Sequence, residues 1–208
     1  MRLLLVSQNR VFDKNRAEKR DCIDSRLVDF LRSMTFECLT IPNGMSQSSF
    51  IPEHAMPTGI VLSGGNTIGD EPQRDDTERL LLDLAVAEKI PVFGICRGMQ
   101  MMNNYLSGSL KRVGGHAGTT HSVQGELPGF TRPAVNSYHN YRIDTLGDGL
   151  DVASTSEDGV VEAVTHRELP WLGIMWHPER ESPFNEEDRQ LLLDLFARKR
   201  FPEGRTEK

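Results

Sequence analysis

Apolar residues arrive along this chain in short runs that alternate with stretches of helical spacing. Leu3 to Val6 is such a run, closed by polar Ser7, Gln8 and Asn9, and it predicts a buried strand over Arg2–Ser7. Asn9–Asp21 is dense in charge and predicts an exposed loop leading into a helix. Ile23, Leu27, Phe30, Leu31 and Met34 then recur on one helical face, so Asp21–Met34 is expected to be an amphipathic helix. Phe36–Ile41 reads as a second strand ended by Pro42-Asn43-Gly44, and Gly59–Ser63 as a third running into a Gly64-Gly65 turn. A helix over Asp75–Lys89 buries Leu80, Leu81, Leu84 and Ala85; a strand covers Pro91–Ile95 and a further helix Gly98–Leu106.

From Ser109 the texture changes to short strands and turns, with Asp158-Gly159 placed like a hairpin turn. Trp171–Met175 is a last apolar strand, ending at Trp176-His177-Pro178-Glu179. Asn185–Arg200 closes as a helix with Glu186, Glu187 and Asp188 in its first turn and Arg198, Lys199 and Arg200 in its last. Pro202 and Gly204 begin a polar tail expected to fray. This order predicts an α/β fold in three layers: a central, mostly parallel sheet flanked by helices, with a small antiparallel extension. One domain is expected over residues 1–208. Active sites in such sheets lie beyond the carboxyl ends of the strands. The loops at Ser63-Gly64-Gly65 and Cys96-Arg97-Gly98 occupy such ends.

Composition narrows the setting. The 208 residues are 38% hydrophobic and 26% charged, ordinary for a globular protein. The formal charge of -6 argues against broad nucleic-acid binding, which wants a basic surface. No apolar run approaches the roughly 20 residues of a membrane span. Cys22, Cys38 and Cys96 are too scattered for a disulfide framework or a zinc cluster, so a reduced, cytoplasmic setting is expected. The expected partner is a small molecule, not nucleic acid or membrane; a homo-oligomer stays open.

Gly94-Ile95-Cys96-Arg97-Gly98-Met99-Gln100 is the most informative stretch. A reactive residue between strand and helix, with glycine two places before and after, has the pattern of a nucleophile elbow. The following helix points its positive end at the sulfur and favours the thiolate. His177 with Glu179 two residues on, again at a strand end, can supply a base and the group that fixes its tautomer. After the third strand, the Gly64-Gly65 turn leaves backbone N–H groups bare, able to hold an oxyanion together with the N–H of Arg97.

Four segments in order resemble the class I glutamine amidotransferase superfamily: Leu62-Ser63-Gly64-Gly65, Gly94 to Gln100, Val135-Asn136-Ser137-Tyr138-His139, and Gly173-Ile174-Met175-Trp176-His177-Pro178-Glu179. The resemblance implies Cys96 as nucleophile, His177 as base and Glu179 as its orienting partner, with Gly65 and Arg97 as oxyanion donors. It implies that Gln100 holds the glutamyl head group, while Ser137 and Tyr138 meet its α-amino and carboxylate ends. Gly64, Asn136 and His139 complete that set, His139 by shaping the loop. No metal or organic cofactor is implied. Within the superfamily the chain is similar to the stand-alone, peptidase-type γ-glutamyl hydrolases, in Arg97 after the nucleophile, in Arg74-Asp75 ahead of Glu78, and in Glu18-Lys19-Arg20-Asp21.

Arg20 and Arg74, with Arg10 and Arg16, are candidates to grip a phosphate-bearing leaving group, because guanidinium forks suit phosphate oxygens; a solvated charged face is the competing reading. His116 and His121, five residues apart with no cysteine or carboxylate cluster nearby, are poor evidence for a metal. Two alternatives to a hydrolase stay open: a glutaminase subunit feeding ammonia to a separate synthetase, and a silent ligand-binding member of the fold.

Overall fold

The computed structural model describes residues 2–45, 56–127 and 130–197. Strand β1 (Leu3–Ser7) leads into a hairpin of β2 (Asn9–Asp13) and β3 (Glu18–Cys22), then α1 (Ser25–Arg32), β4 (Glu37–Ile41) and β5 (Gly59–Leu62). Next come α2 (Pro72–Glu88), β6 (Val92–Ile95), α3 (Arg97–Tyr105) and six strands: β7 (Ser109–Arg112), β8 (Ala117–Gly125), β9 (Ala134–Tyr138), β10 (Tyr141–Thr145), β11 (Leu150–Ser156) and β12 (Val161–His166). Strand β13 (Trp171–Ile174), a 3-10 turn at Pro178–Arg180 and α4 (Glu186–Ala197) complete the order.

The main sheet has nine strands in the order β4-β1-β5-β6-β13-β12-β11-β8-β9. The first five pair in parallel, and the last four continue the sheet in antiparallel fashion. This is the expected α/β architecture. The antiparallel part is contiguous with the parallel part, and β7 and β10 form a separate antiparallel pair in contact with α3.

Two apolar layers sandwich the parallel strands, and β1 shows why. Its side chains alternate across the sheet, so Leu4 and Val6 join Phe30 and Leu31 of α1 and Leu192 of α4, whereas Leu5 joins Leu81 and Leu82 of α2. Fully burying each such side chain contributes about 1.5–3 kcal/mol. Among the described residues no helix is long and apolar enough to cross a membrane.

The charged stretch Asn9–Asp21 is not a loop but the β2–β3 hairpin, in register from Asn9 opposite Cys22 to Asp13 opposite Glu18. Val11 and Phe12 on it stay exposed, so no buried face imposes an apolar alternation. Helix α1 starts later than expected, at Ser25, because the Asp24 side chain caps it by accepting from Arg26 N–H at 3.0 Å. Helix α2 starts earlier, with Pro72 in its first turn, where a missing N–H costs nothing. The expected end of the last helix at Arg200 and the frayed tail lie outside the described residues.

Candidate active site

Cys96 sits where β6 turns into α3, with φ 51° and ψ -102°, a left-handed backbone rare for a residue with a Cβ. That strain persists because the turn is fixed on both sides. The Cys96 N–H donates to Ile174 O at 2.7 Å, and its carbonyl accepts from Gln100 N–H at 3.1 Å. A Cβ on Gly98 would lie 2.1 Å from Leu62 O, and one on Gly94 would lie 2.7 Å from the backbone of Gly98. Only glycines let the strand, the turn and the neighbouring β5 approach this closely.

His177 follows β13, and the 3-10 turn folds Glu179 back onto it, with Nδ1 to Oε1 at 2.7 Å. Asn136 grips the histidine backbone from both sides, its Oδ1 accepting from His177 N–H and its Nδ2 donating to His177 O, each at 2.9 Å. Burial works against a charged imidazole here, but hydrogen bonds to Cys96 and Glu179, together with their charges, outweigh it and push His177 up to about 9. That direction favours the protonated ring.

Arg74 is wholly buried behind the glycine turn. It donates to the carbonyls of Ser63 at 2.8 Å, Gly64 at 2.9 Å and Gly65 at 3.0 Å. With those carbonyls held inward, the N–H groups of the same trans peptides face the other way. Arg74 also pairs with Glu78 at 3.0 Å, and Glu78 and Asp75 hold the buried Arg97 guanidinium. Burial alone would raise the Glu78 pKa, yet the charges of Arg97 and Arg74 hold it below the usual carboxylate range. A charged network thus ties the glycine turn to the residue after Cys96. Cys96, Arg97, Gly65, Gln100, Tyr138 and His177 border one cavity of about 430 Å³.

The chain matches the family model for glutamine amidotransferase class-I over residues 19–198. It belongs to that family. A γ-glutamyl-CDP-amidate hydrolase of Campylobacter jejuni is 29% identical, over 92% of this chain and 96% of its own. A γ-glutamyl-γ-aminobutyrate hydrolase of Escherichia coli O157:H7 is 30% identical, over 69% of this chain and 73% of its own. Among solved structures, a Thermotoga maritima glutamine amidotransferase superposes with a TM-score of 0.65 at 17% identity, covering 94% of this chain and 84% of that one. At that identity the likeness speaks for the fold alone.

In this class-I amidotransferase domain the candidate residues fall into three places. Cys96, Arg97, Gly65, Gln100, Tyr138, His139 and His177 face the cavity. Glu179, Asn136 and Gly64 stand behind His177: a Cβ on Gly64 would come within 2.9 Å of the imidazole Cε1, so that glycine lets the ring approach. Ser137 is buried with its hydroxyl donating to His116 O. The four phosphate candidates lie elsewhere: Arg10 pairs with Asp21 and Arg16 with Asp13 on the hairpin. Arg74 has its donors engaged inside the fold, because Glu78 and three carbonyls surround it, and it offers no fork to a ligand. Arg20 lies half-exposed on the hairpin, paired with Glu18, and does not border the cavity.

The hairpin still bears on the site. Arg10 N–H donates to Asn66 Oδ1 and Asn66 Nδ2 donates to Arg10 O, each at 2.9 Å, which clamps the loop after Gly65. Asp70, Tyr141 and Arg180 also border the cavity and were not among the expected site residues. Arg180 stacks over the Tyr138 ring at 4.3 Å, and the ring stands edge-on to His177 at 5.7 Å. The position of Arg180, directly after the His-Pro-Glu segment, is the one clue that could have marked it.

Proposed function

We propose that the chain is a cysteine hydrolase of γ-glutamyl amides, working through a glutamyl thioester, with γ-glutamyl-CDP-amidate as substrate. The observation that carries this reading is the shared cavity of Cys96, His177, Gly65 and Arg97, with Glu179 fixed behind the imidazole. The Cys96 thiolate attacks the γ-carbonyl carbon, and the carbonyl oxygen takes negative charge between the Gly65 and Arg97 N–H groups. The C–N bond then breaks, and His177 gives its proton to the departing nitrogen. Water attacks the thioester, His177 takes the proton, and glutamate and the Cys96 thiolate are released. With this substrate the amine product is cytidine diphosphoramidate, a donor suited to capsule phosphoramidate synthesis. Asp70 and Arg180 at the rim match the α-ammonium and α-carboxylate of the glutamyl group in charge.

The full length of the similarity to the Campylobacter hydrolase supports the nucleotide substrate. A glutamate-release assay on γ-glutamyl-CDP-amidate, γ-glutamyl-γ-aminobutyrate and glutamine tests the reading. The nucleotide amidate is expected to turn over fastest. Faster release from free glutamine would replace the hydrolase with a glutaminase, and release from none of them would sink the enzyme reading.

A further inference from the structure

Three histidines outside the catalytic pair converge with one carboxylate. His116 precedes β8, His121 lies within it, His139 follows β9, and Glu162 sits on β12. One ligating atom from each of the four lies within 4.8 Å of the others. Glu162 Oε1 is 3.0 Å from His121 Nε2, 3.4 Å from His139 Nε2 and 3.6 Å from His116 Nδ1. His121 Nε2 is within hydrogen-bond reach of Glu162, yet none of the three contacts is aligned as a hydrogen bond, and both Glu162 oxygens and all three inward nitrogens are buried without an aligned partner. A fully buried carboxylate left so is costly unless a cation stands against it.

The outward nitrogens say which kind of cation. His139 Nδ1 is 3.0 Å from the Tyr141 carbonyl, which only accepts, so Nδ1 carries a proton and in the neutral ring the Nε2 lone pair turns inward. His116 Nε2 is 3.0 Å from Asp158 Oδ2, which in the neutral ring likewise turns the Nδ1 lone pair inward. Anchoring of the second nitrogen by a carbonyl or carboxylate is how metal-binding imidazoles are oriented. Lone pairs facing a carboxylate repel unless an electron-pair acceptor lies between them.

We propose that His116, His121, His139 and Glu162 form a closed, four-ligand site for a divalent transition metal, with zinc the ion of choice. Three neutral imidazoles and one carboxylate suit zinc, and four protein ligands mark a structural rather than a catalytic ion. Two ligands about 2.0–2.1 Å from one ion at the tetrahedral angle stand about 3.3 Å apart, and the three separations from Glu162 bracket that spacing. Because His139 also borders the catalytic cavity, the ion fastens the wall carrying Tyr138 and Tyr141 to β12.

The test is metal content and binding, independent of turnover. Untagged wild-type protein is analysed for metal by mass spectrometry, stripped with a chelator, and titrated with zinc and with cobalt(II). The expected results are about one metal per chain, a fall in Tm on stripping that zinc reverses, and visible cobalt absorption of a four-coordinate site. His121→Ala loses stoichiometric binding. Asp158→Ala, an exposed change that leaves all four ligands, weakens zinc by about 10–100-fold. Stripped wild-type protein that binds zinc no better than His121→Ala would overturn the site and leave the cluster held by shared protons.

Discussion

Glu179 Oε1 stands 2.7 Å from His177 Nδ1, although only Pro178 separates the two residues in the chain. The 3-10 turn at Pro178–Arg180 makes this possible, since an extended strand would send residues two apart to the same face without turning one back on the other. With Nδ1 engaged by the carboxylate, Nε2 is left for the sulfur of Cys96. Asn136 fixes the backbone from which the imidazole hangs. The carboxyl end of β13, the central strand, therefore presents an imidazole whose direction is set before any substrate arrives.

Glu179→Gln keeps an oxygen for Nδ1 but removes the charge that helps to hold His177 up at about 9. The basic limb of kcat/KM, where the imidazolium stops protonating the leaving amine, is expected to move to lower pH by on the order of one unit. Stability follows the same sign. A histidine raised from 6.5 to about 9 stabilises the fold in full below 6.5 and loses that contribution as pH rises through 9. The Tm gap between wild type and variant should be widest near the acid end of this window and close above it. An unmoved basic limb would detach Glu179 from the imidazole's titration.

Cys96→Ala is expected to cut turnover by about 10⁴-fold or more, because the thioester route disappears with the sulfur. The cavity walls formed by Gly65, Gln100 and Tyr138 remain, so substrate should still raise the Tm of the variant. Mass spectrometry of wild-type protein mixed with γ-glutamyl substrate should find the acyl group on Cys96. Turnover surviving in the variant would assign the chemistry to another group.

The elbow was legible in the sequence because both glycines stand within two positions of Cys96, although the contact that requires Gly98 is with the distant β5. The His-Pro-Glu segment was legible for the same reason. Arg74 was not, since a charge in a sequence says nothing of which side of a loop it will occupy; only Glu78 four residues on hinted at a buried pair. The β2–β3 hairpin was missed because its exposed Val11 and Phe12 break the alternation that a buried strand face shows. The His116–His121 spacing looked weak because the other two members of that cluster, His139 and Glu162, arrive from β9 and β12, far off in the chain.

Glu78 is the shared counter-ion of Arg74 and Arg97, all three buried. Glu78→Gln leaves two guanidinium groups with only Asp75 against them. Breaking such a buried network by removing one partner costs about 3–5 kcal/mol. Urea unfolding should show that loss. The glycine turn carried by Arg74 should also loosen, so kcat is expected to fall more than KM rises. A variant as stable as wild type would mean that water reaches the network and screens it.

Gly98→Ala sets the elbow's geometry against a simple control. A methyl group there would lie 2.1 Å from the Leu62 carbonyl oxygen, and backbone of a central strand does not give way as a flexible side chain does. The cost is expected at about 1–3 kcal/mol or above, with Cys96 pushed out of line with His177 and activity largely lost. Gly114→Ala meets nothing within 4 Å and carries no left-handed φ, so it should fall within about 0.5 kcal/mol of wild type and keep full activity. Paired urea melts and glutamate-release rates separate the two. Equal behaviour of both variants would show that close packing of α3 on β5 does not position Cys96.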